Sequence, residues 1–174
     1  MMPSATDRDP AGPGTAPVDG SAMRKVLGHF ASGVAVVTAL DRAGPVGFTC
    51  QSLTSLSLDP PLVSLAPART SSAWSTIRSV GTFGVNILAE DHQRYSAQFA
   101  RRDVDRFAGV GWSAGPGGAP LLHGVVAWVA CDLEHEYDGG DHTIAVGRVR
   151  GLGTGRGVAP LLFHRGGYGI TRGE

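Results

Sequence analysis

A histidine set among turn-forming residues is the group best placed to do chemistry in this chain: Gly140-Asp141-His142-Thr143, followed by Gly147, closing the run Tyr137-Asp138-Gly139. Asp-Gly-Gly favours a tight turn, because glycine takes positive φ without a Cβ clash. His142 then opens the next strand at a rigid edge, with its ring free to meet a ligand; an ordinary hairpin with a surface histidine has the same local sequence. A second segment, Phe48-Thr49-Cys50-Gln51-Ser52-Leu53-Thr54-Ser55-Leu56-Ser57, gathers hydroxyls and an amide at the end of a strand. Such neutral donors suit a phosphate or a polyol chain, and the alternative is a Ser/Thr turn that caps its own backbone. A third segment, Ala66-Pro67-Ala68-Arg69-Thr70-Ser71-Ser72, opens a helix. Free N–H groups, two serines and Arg69 there make either an anion cradle or simple N-capping beside a surface arginine. Neither segment is a P-loop and no G-x-G-x-x-G follows a strand, so a pyridine nucleotide would not bind through a Rossmann turn.

Other reactive types carry less. His123, His135 and His164 with Cys131 could be imagined around zinc, but Cys131 and His135 lie four apart on a strand, too far to chelate as a pair, and no metal site is expected. Trp74 and Trp112 read as packing. Asn86, between Val85 and Ile87, reads as an internal hydrogen-bonding residue.

The elements that must position these groups are mostly strands. Met23–Ala31 places Val26, Leu27 and Phe30 on one helical face, ended by Gly33. Val34–Leu40 is a β-branched run closed by the turn 41–45, and Val46–Thr49 resumes as a strand. Asp59-Pro60-Pro61 precedes a third strand, Leu62–Ala66. Ser71–Ser79 reads as a helix with Thr70 or Ser71 as N-cap, Thr82–Leu88 as a strand, and Glu90–Ala100 as a helix whose acidic start suits the dipole. Arg101–Pro120 reads as irregular. Val125–Tyr137 alternates, with Val129, Cys131 and Leu133 on one face, and pairs with Thr143–Leu152 as a hairpin; Leu161–Phe163 and Tyr168–Ile170 supply the last strand material. Many strands, close-set turns and three short helices predict a closed or nearly closed antiparallel barrel.

Composition sets the frame. The 174 residues carry 15 basic and 15 acidic side chains and a formal net charge of zero. One domain with a real core is expected at this length, and the scattered basic residues leave no nucleic-acid footprint. No apolar run reaches the roughly 18 residues a membrane helix needs. Residues 1–20 read as a disordered leader without a signal-peptide core, and 21–174 as the domain. Cys50 and Cys131 read as two reduced thiols of a cytoplasmic protein.

Seven segments in order resemble the short-chain flavin reductase family: Pro45-Val46-Gly47-Phe48-Thr49-Cys50-Gln51-Ser52, Leu56-Ser57-Leu58-Asp59-Pro60-Pro61-Leu62-Val63, Phe83-Gly84-Val85-Asn86-Ile87-Leu88, Asp105-Arg106-Phe107-Ala108-Gly109, Gly118-Ala119-Pro120-Leu121-Leu122, Gly140-Asp141-His142-Thr143, and Pro160-Leu161-Leu162-Phe163-His164-Arg165-Gly166-Gly167-Tyr168. The pattern His29-Phe30-Ala31-Ser32-Gly33-Val34 adds to them, and the likeness runs from Met23 to Ile170. Cys50-Gln51-Ser52 stands where Ala-Asn-Ser or Val-Ser-Ser is commoner.

The resemblance implies a mainly β fold, the antiparallel, Greek-key-like FMN-binding split barrel with a few short flanking helices, in a homodimer. It implies reduction of FMN or FAD by NADH or NADPH, with reduced flavin passing to a partner monooxygenase of an aromatic, steroid or polyketide pathway. A non-catalytic flavin-binding module for storage or sensing is the alternative. The family pattern puts Phe48, Thr49, Cys50, Gln51, Ser52 and Leu53 along the flavin, Ala66, Pro67 and Ala68 beside its ring, and Ser71 and Ser72 on its phosphate side. His142 matches the histidine that meets the nicotinamide, with an orienting rather than a proton-transferring role. Tyr168 is a lesser candidate for the same pocket, and Arg106 is assigned to the flavin, the dimer partner or neither. Hydride would pass directly between the stacked rings, so the protein's task is to bring them face to face.

Overall fold

The computed structural model describes residues 18–169; the greater part of the expected leader, residues 1–17, and the C-terminal residues from 170 on, Ile170 included, lie outside them. The chain runs α1 (Gly20–Leu27), β1 (Ser32–Gly33), β2 (Ala35–Asp41), β3 (Gly44–Cys50), β4 (Thr54–Leu58), β5 (Pro61–Leu65), α2 (Ser72–Val80), β6 (Thr82–Ile87), α3 (Gln93–Ala100), β7 (Trp112–Ala114), a 3-10 turn (Pro116–Gly118), β8 (Pro120–Leu122), β9 (Ala127–Gly139), β10 (His142–Thr154), β11 (Leu162–His164) and β12 (Gly167–Tyr168). Among the described residues no helix is long and apolar enough to cross a membrane.

Seven strands form one antiparallel sheet in the order β3-β2-β6-β9-β10-β5-β4. β3 and β4 therefore stand at opposite margins, although only Gln51, Ser52 and Leu53 separate them in sequence. Laid flat, the sheet would be about 29 Å across at roughly 4.8 Å per strand. The short link, four steps from Cys50 to Thr54, reaches at most about 14 Å at about 3.6 Å per step. The sheet must curl until its margins nearly meet, which gives the nearly closed antiparallel barrel that the strand pattern predicted and the mainly β, split-barrel fold that the family resemblance implied.

β2 explains the two cores. Ala35, Val37 and Ala39 face the barrel interior with Phe83, Val85, Cys131, Leu65 and Ala145, while Val34 and Val36 face the outside layer with Leu88, Phe99, Leu122 and Leu161. A strand covered on both faces needs a near-continuous apolar run, as Val34–Leu40 supplies with the hydrogen-bonded Thr38 as its polar member. Val129 and Leu133 pack with Cys131 against the interior, so the alternation read along β9 holds. α2 closes one end of the barrel by burying Ala73, Trp74 and Ile77. Ser71 is its N-cap, accepting the Trp74 N–H, and Gly81 ends it in the left-handed region with φ 81°. Trp74 is packing, edge-on to Phe48 and Phe83, and its Nε1–H donates to Glu136 Oε1 at 3.1 Å. Trp112 packs edge-on against Phe107.

Three expectations need correction. The first helix is Gly20–Leu27, displaced upstream because Asp19 caps it and accepts the Ser21 and Ala22 N–H groups; it buries none of its residues. α3 begins at Gln93 and has no acidic first turn, because the carboxylate of Asp91 is held instead by Arg156 at 2.7 and 2.9 Å. The glycine-rich stretch 101–120 is not wholly irregular: Trp112–Ala114 pairs with Pro120–Leu122. Asn86 is the internal hydrogen-bonding residue expected, since its Nδ2 donates to Val36 O, Thr38 Oγ1 and Pro120 O and its Oδ1 accepts the Leu122 N–H.

Candidate active site

The seam left by curling the sheet is where the site lies. β3 pairs only with β2 among the described strands, so its outer edge and the Gln51–Leu53 link face the end of β5 across a gap. One side chain spans it: Ser52 Oγ accepts the Ala66 N–H at 2.8 Å and sits 3.3 Å from Cys50 Sγ. Beside this bridge opens a cavity of about 510 Å³, in the usual range for a small-molecule pocket, about 300–1,000 Å³.

Its first wall is Phe48, Thr49, Cys50, Gln51 and Ser52; its second is Ala66, Pro67, Ala68, Thr70, Ser71 and Ser72, running into α2. The end of α3 and the segment after it form the third, with Phe99, Ala100, Arg102, Asp103 and Arg106, and His142 reaches in from the β9–β10 turn. The geometry thus gathers eleven of the thirteen residues expected from sequence. The other two lie elsewhere. Leu53 packs against the barrel core. Tyr168 packs edge-on to Phe163, and its hydroxyl donates to Ser96 Oγ at 2.9 Å. Ser96 O in turn accepts the Thr49 hydroxyl at 2.6 Å, so Tyr168 supports the first wall from behind.

Arg69 is displaced from the anion cradle suggested by its neighbours. Its guanidinium turns away from the cavity to the β9–β10 turn, where Nε donates to Gly140 O at 2.7 Å and Nη2 to Asp138 Oδ1 at 2.5 Å. The cationic wall comes instead from Arg102 and Arg106, beyond α3. Arg106 is half-buried and anchored by its Nη1 on Gly47 O at 2.8 Å and its Nε on Arg101 O at 2.7 Å. Burial, helped by Arg102, lowers its pKa from the usual arginine value, and it stays charged. Arg102 and Phe99 were missed because nothing in a helix end of mixed character signals which wall it will complete.

The turn that carries His142 has two residues, Gly140 and Asp141, between the paired Gly139 and His142. Gly140 takes φ 77°, as a tight hairpin of this length requires. His142 Nδ1 lies 2.6 Å from Asp141 Oδ1. The contact with the imidazole, first by hydrogen bond and then by charge, holds the Asp141 carboxyl below the usual carboxylate range. Cys50 has its thiol pKa pushed up by burial, against the smaller opposing effect of its hydrogen bonds at Ser52 and Leu53, so the cavity contains a neutral thiol rather than a nucleophile.

A flavin fits these walls. The N-terminus of α2, with Thr70, Ser71 and Ser72, offers N–H and hydroxyl donors to a phosphate, and the apolar wall from Phe48 to Cys50 suits a planar ring. A second cavity of about 320 Å³ lies alongside and shares Ser72, Asp103 and Arg106 with the first. Among the described residues no cluster of three or more His, Cys, Asp or Glu side chains could hold a metal ion.

The flavin reductase like domain model matches residues 27–172. The chain is 48% identical over 151 residues to the reductase subunit of a flavin-dependent monooxygenase from Rhodococcus jostii, covering 87% of this chain and 77% of that one. It is 42% identical over 153 residues to a flavin reductase from Pseudomonas putida, covering 87% and 90%. A solved NADH:FAD oxidoreductase from Streptomyces globisporus, in complex with NAD and FAD fragments, superposes with a TM-score of 0.84 at 35% identity, over 89% of this chain and 94% of that chain.

Proposed function

This chain belongs to the flavin reductase like family, and from that premise we propose that it oxidises a reduced nicotinamide nucleotide at the seam of its barrel and releases reduced flavin to a partner monooxygenase. It is an oxidoreductase, and its relatives, one named a reductase subunit and one a flavin reductase, give no support to a purely flavin-storing module. When bound, the flavin supplies the acceptor for the nicotinamide hydride.

The observation that carries the site assignment is the convergence of three sequence-distant walls and His142 on one cavity. Thr49–Ser52 present unpaired strand edge and an amide to the polar rim of the ring system. Ser71 and Ser72 offer hydroxyls to the phosphate; Ser71 Oγ already accepts the Trp74 N–H, so its own hydrogen remains to donate outward. His142 stands at the open side and orients the nicotinamide over the flavin. The three walls exclude water from one face of the stacked rings.

Of the two flavins we propose FAD. The second cavity continues the first past Ser72 and Arg106, and gives the adenylate half a place that FMN would leave empty. The pairing into a homodimer is supported by apolar side chains left outside: Val26 and Leu27 on α1 are 65% and 59% exposed, Phe30 82%, and Leu58 on the margin strand β4 89%. Nicotinamide nucleotide use favours a cytoplasmic setting.

The test is steady-state oxidation of NADH and NADPH with added FMN, FAD or riboflavin. Rates that saturate with free flavin, at lower concentration for FAD than for FMN, support the reading; flavin binding without turnover on any pair would sink it. His142→Ala should raise the KM for the nicotinamide and leave flavin affinity unchanged. Light scattering of the purified protein decides the dimer.

A further inference from the structure

We propose that Arg69 is a positioning residue that fastens the His142 turn to the flavin-side loop, so that the nicotinamide contact is set by a side chain that touches neither ligand. The inference rests on the reductase reading above.

The loop Ala66–Ser71 and the turn Asp138–His142 come from distant parts of the chain and meet just beyond the end of the β5–β10 pairing, whose last pair is Leu65 with Ala145. Ala68 and His142 form a single isolated antiparallel bridge. Around it, the Thr143 N–H donates to Pro67 O at 2.9 Å and the Arg69 N–H to Asp141 O at 3.0 Å. These two bonds are the bridge itself, and neither reaches Asp138 or Gly140 on the far side of the turn, where an exposed tip frays most readily. The Arg69 side chain adds the missing constraint with a forked grip: Nε on Gly140 O at 2.7 Å and Nη2 on Asp138 Oδ1 at 2.5 Å.

The partner carboxylate is itself placed for this. Asp138 Oδ1 also accepts the Gly140 N–H at 2.9 Å, so one oxygen ties the turn to itself and to the arginine. That backbone bond first, and Arg69 second, hold the Asp138 carboxyl below the usual carboxylate range, keeping it ionised at neutral pH. A planar guanidinium presents its N–H groups to a carbonyl and a carboxylate in a fixed fork, a geometry that the rotating ammonium of a lysine does not hold. The pair is exposed, with side chains 51% and 80% accessible, where such contacts add little to global stability. Its value lies in orientation: His142 is two residues beyond the gripped carbonyl, and Ala68, one residue before Arg69, lines the flavin wall.

The experiment compares wild type with Arg69→Ala, Arg69→Lys and Asp138→Ala, in four readouts: NADH KM, NAD+ affinity of the FAD-loaded protein by calorimetry, FAD affinity by fluorescence, and thermal midpoint. Arg69→Ala should raise the NADH KM and the NAD+ Kd about tenfold, as expected on losing a hydrogen bond to a charged group. FAD affinity and the midpoint should stay near wild type. Asp138→Ala, which also loses the Gly140 N–H bond, should be at least as severe, the double variant should be no worse than Asp138→Ala alone, and Arg69→Lys should recover only part of the loss. If Arg69→Ala fails to fold, Asp138→Ala carries the same test with the arginine retained. Unchanged NAD+ affinity, or FAD affinity falling in parallel, overturns the inference alone. A wild type that binds FAD but neither NADH nor NAD+ overturns the functional reading and the inference with it.

Discussion

Ser52 Oγ accepts the Ala66 N–H at 2.8 Å, and so joins the end of β3 to the end of β5 across the one gap in the curled sheet that the cavity occupies. The two strands stand near opposite margins of the sheet order, so this hydroxyl sets the width of the cleft at its base. Ser52→Ala should weaken flavin binding by about threefold to tenfold, matching a net hydrogen-bond worth of about 0.5–1.5 kcal/mol. A fluorescence titration in which the alanine variant binds as tightly as wild type would show that the bridge does not shape the site.

Gly147 is filled from outside itself. A Cβ there would meet Phe83 Cζ at 2.5 Å and Cys131 Cβ at 3.0 Å, and the β9–β10 register shifts between Val146 and Gly147. Phe83 is fully buried and held edge-on by Trp74, so its ring has little room to withdraw. Gly147→Ala should cost about 1–3 kcal/mol through overpacking. Denaturant melts read this directly, and a midpoint equal to wild type would mean that the ring moves freely.

Asn86 is buried among β2, β6 and β8 with all its polar atoms engaged. Asn86→Leu leaves the Leu122 N–H and two backbone carbonyls without that partner, at a cost of about 1–3 kcal/mol for each group left unmet. The variant should lose stability well before it loses flavin affinity per folded molecule; equal stability of the two proteins in urea refutes the assignment.

His92 is buried against Tyr95, 3.9 Å from Asp91 and flanked by Arg156 and Arg94. Burial lowers its pKa from the usual 6.5, Asp91 opposing and the two arginines assisting. The unfolded chain therefore takes up a proton at a pH where the folded chain does not. This contribution to stability is complete above about pH 6.5, the unfolded value, and is lost as pH falls through the lower folded value. His92→Gln should flatten the fall in melting temperature between pH 7 and pH 5; an identical fall in both proteins excludes His92 as its source.

Neither thiol should react quickly in the native protein. Burial, with Asp132 nearby, pushes Cys131 up to about 12, and burial also raises Cys50. A thiol-reactive dye at mildly alkaline pH should label both only after denaturation; rapid native labelling would place one of them in the open.

The two walls of the cavity and His142 were readable from the chain because turn residues and hydroxyls cluster there within short windows. Local spacing also found Ser71 as the cap of α2 and the β9 alternation. What spacing cannot show is direction across space. Arg69 sits among phosphate-seeking neighbours, yet its guanidinium follows a carboxylate 69 positions away. Arg102 and Phe99 complete the cavity only because α3 packs against β3, a tertiary fact with no local signature. Tyr168 carries a ring and glycines suited to a ligand, but Ser96 holds its hydroxyl. Leu53 ends the hydroxyl-rich link between β3 and β4, and its apolar side chain packs on the barrel core beside polar neighbours that face the cavity.

The sheet order has a kinetic meaning as well. β9 and β10 form a long hairpin from local contacts, whereas the cavity needs β3, β5, α3 and that hairpin's tip, which are far apart along the chain. Long-range closures form late, after local ones have repaid their own entropy. With flavin in the proposed cavity, a partly folded chain would have no site for it, and flavin would bind only the closed barrel. Added flavin at about a hundred times its Kd would deepen the native well by about 2.7 kcal/mol, so the cell's flavin pool acts on the persistence of this fold as well as on its turnover.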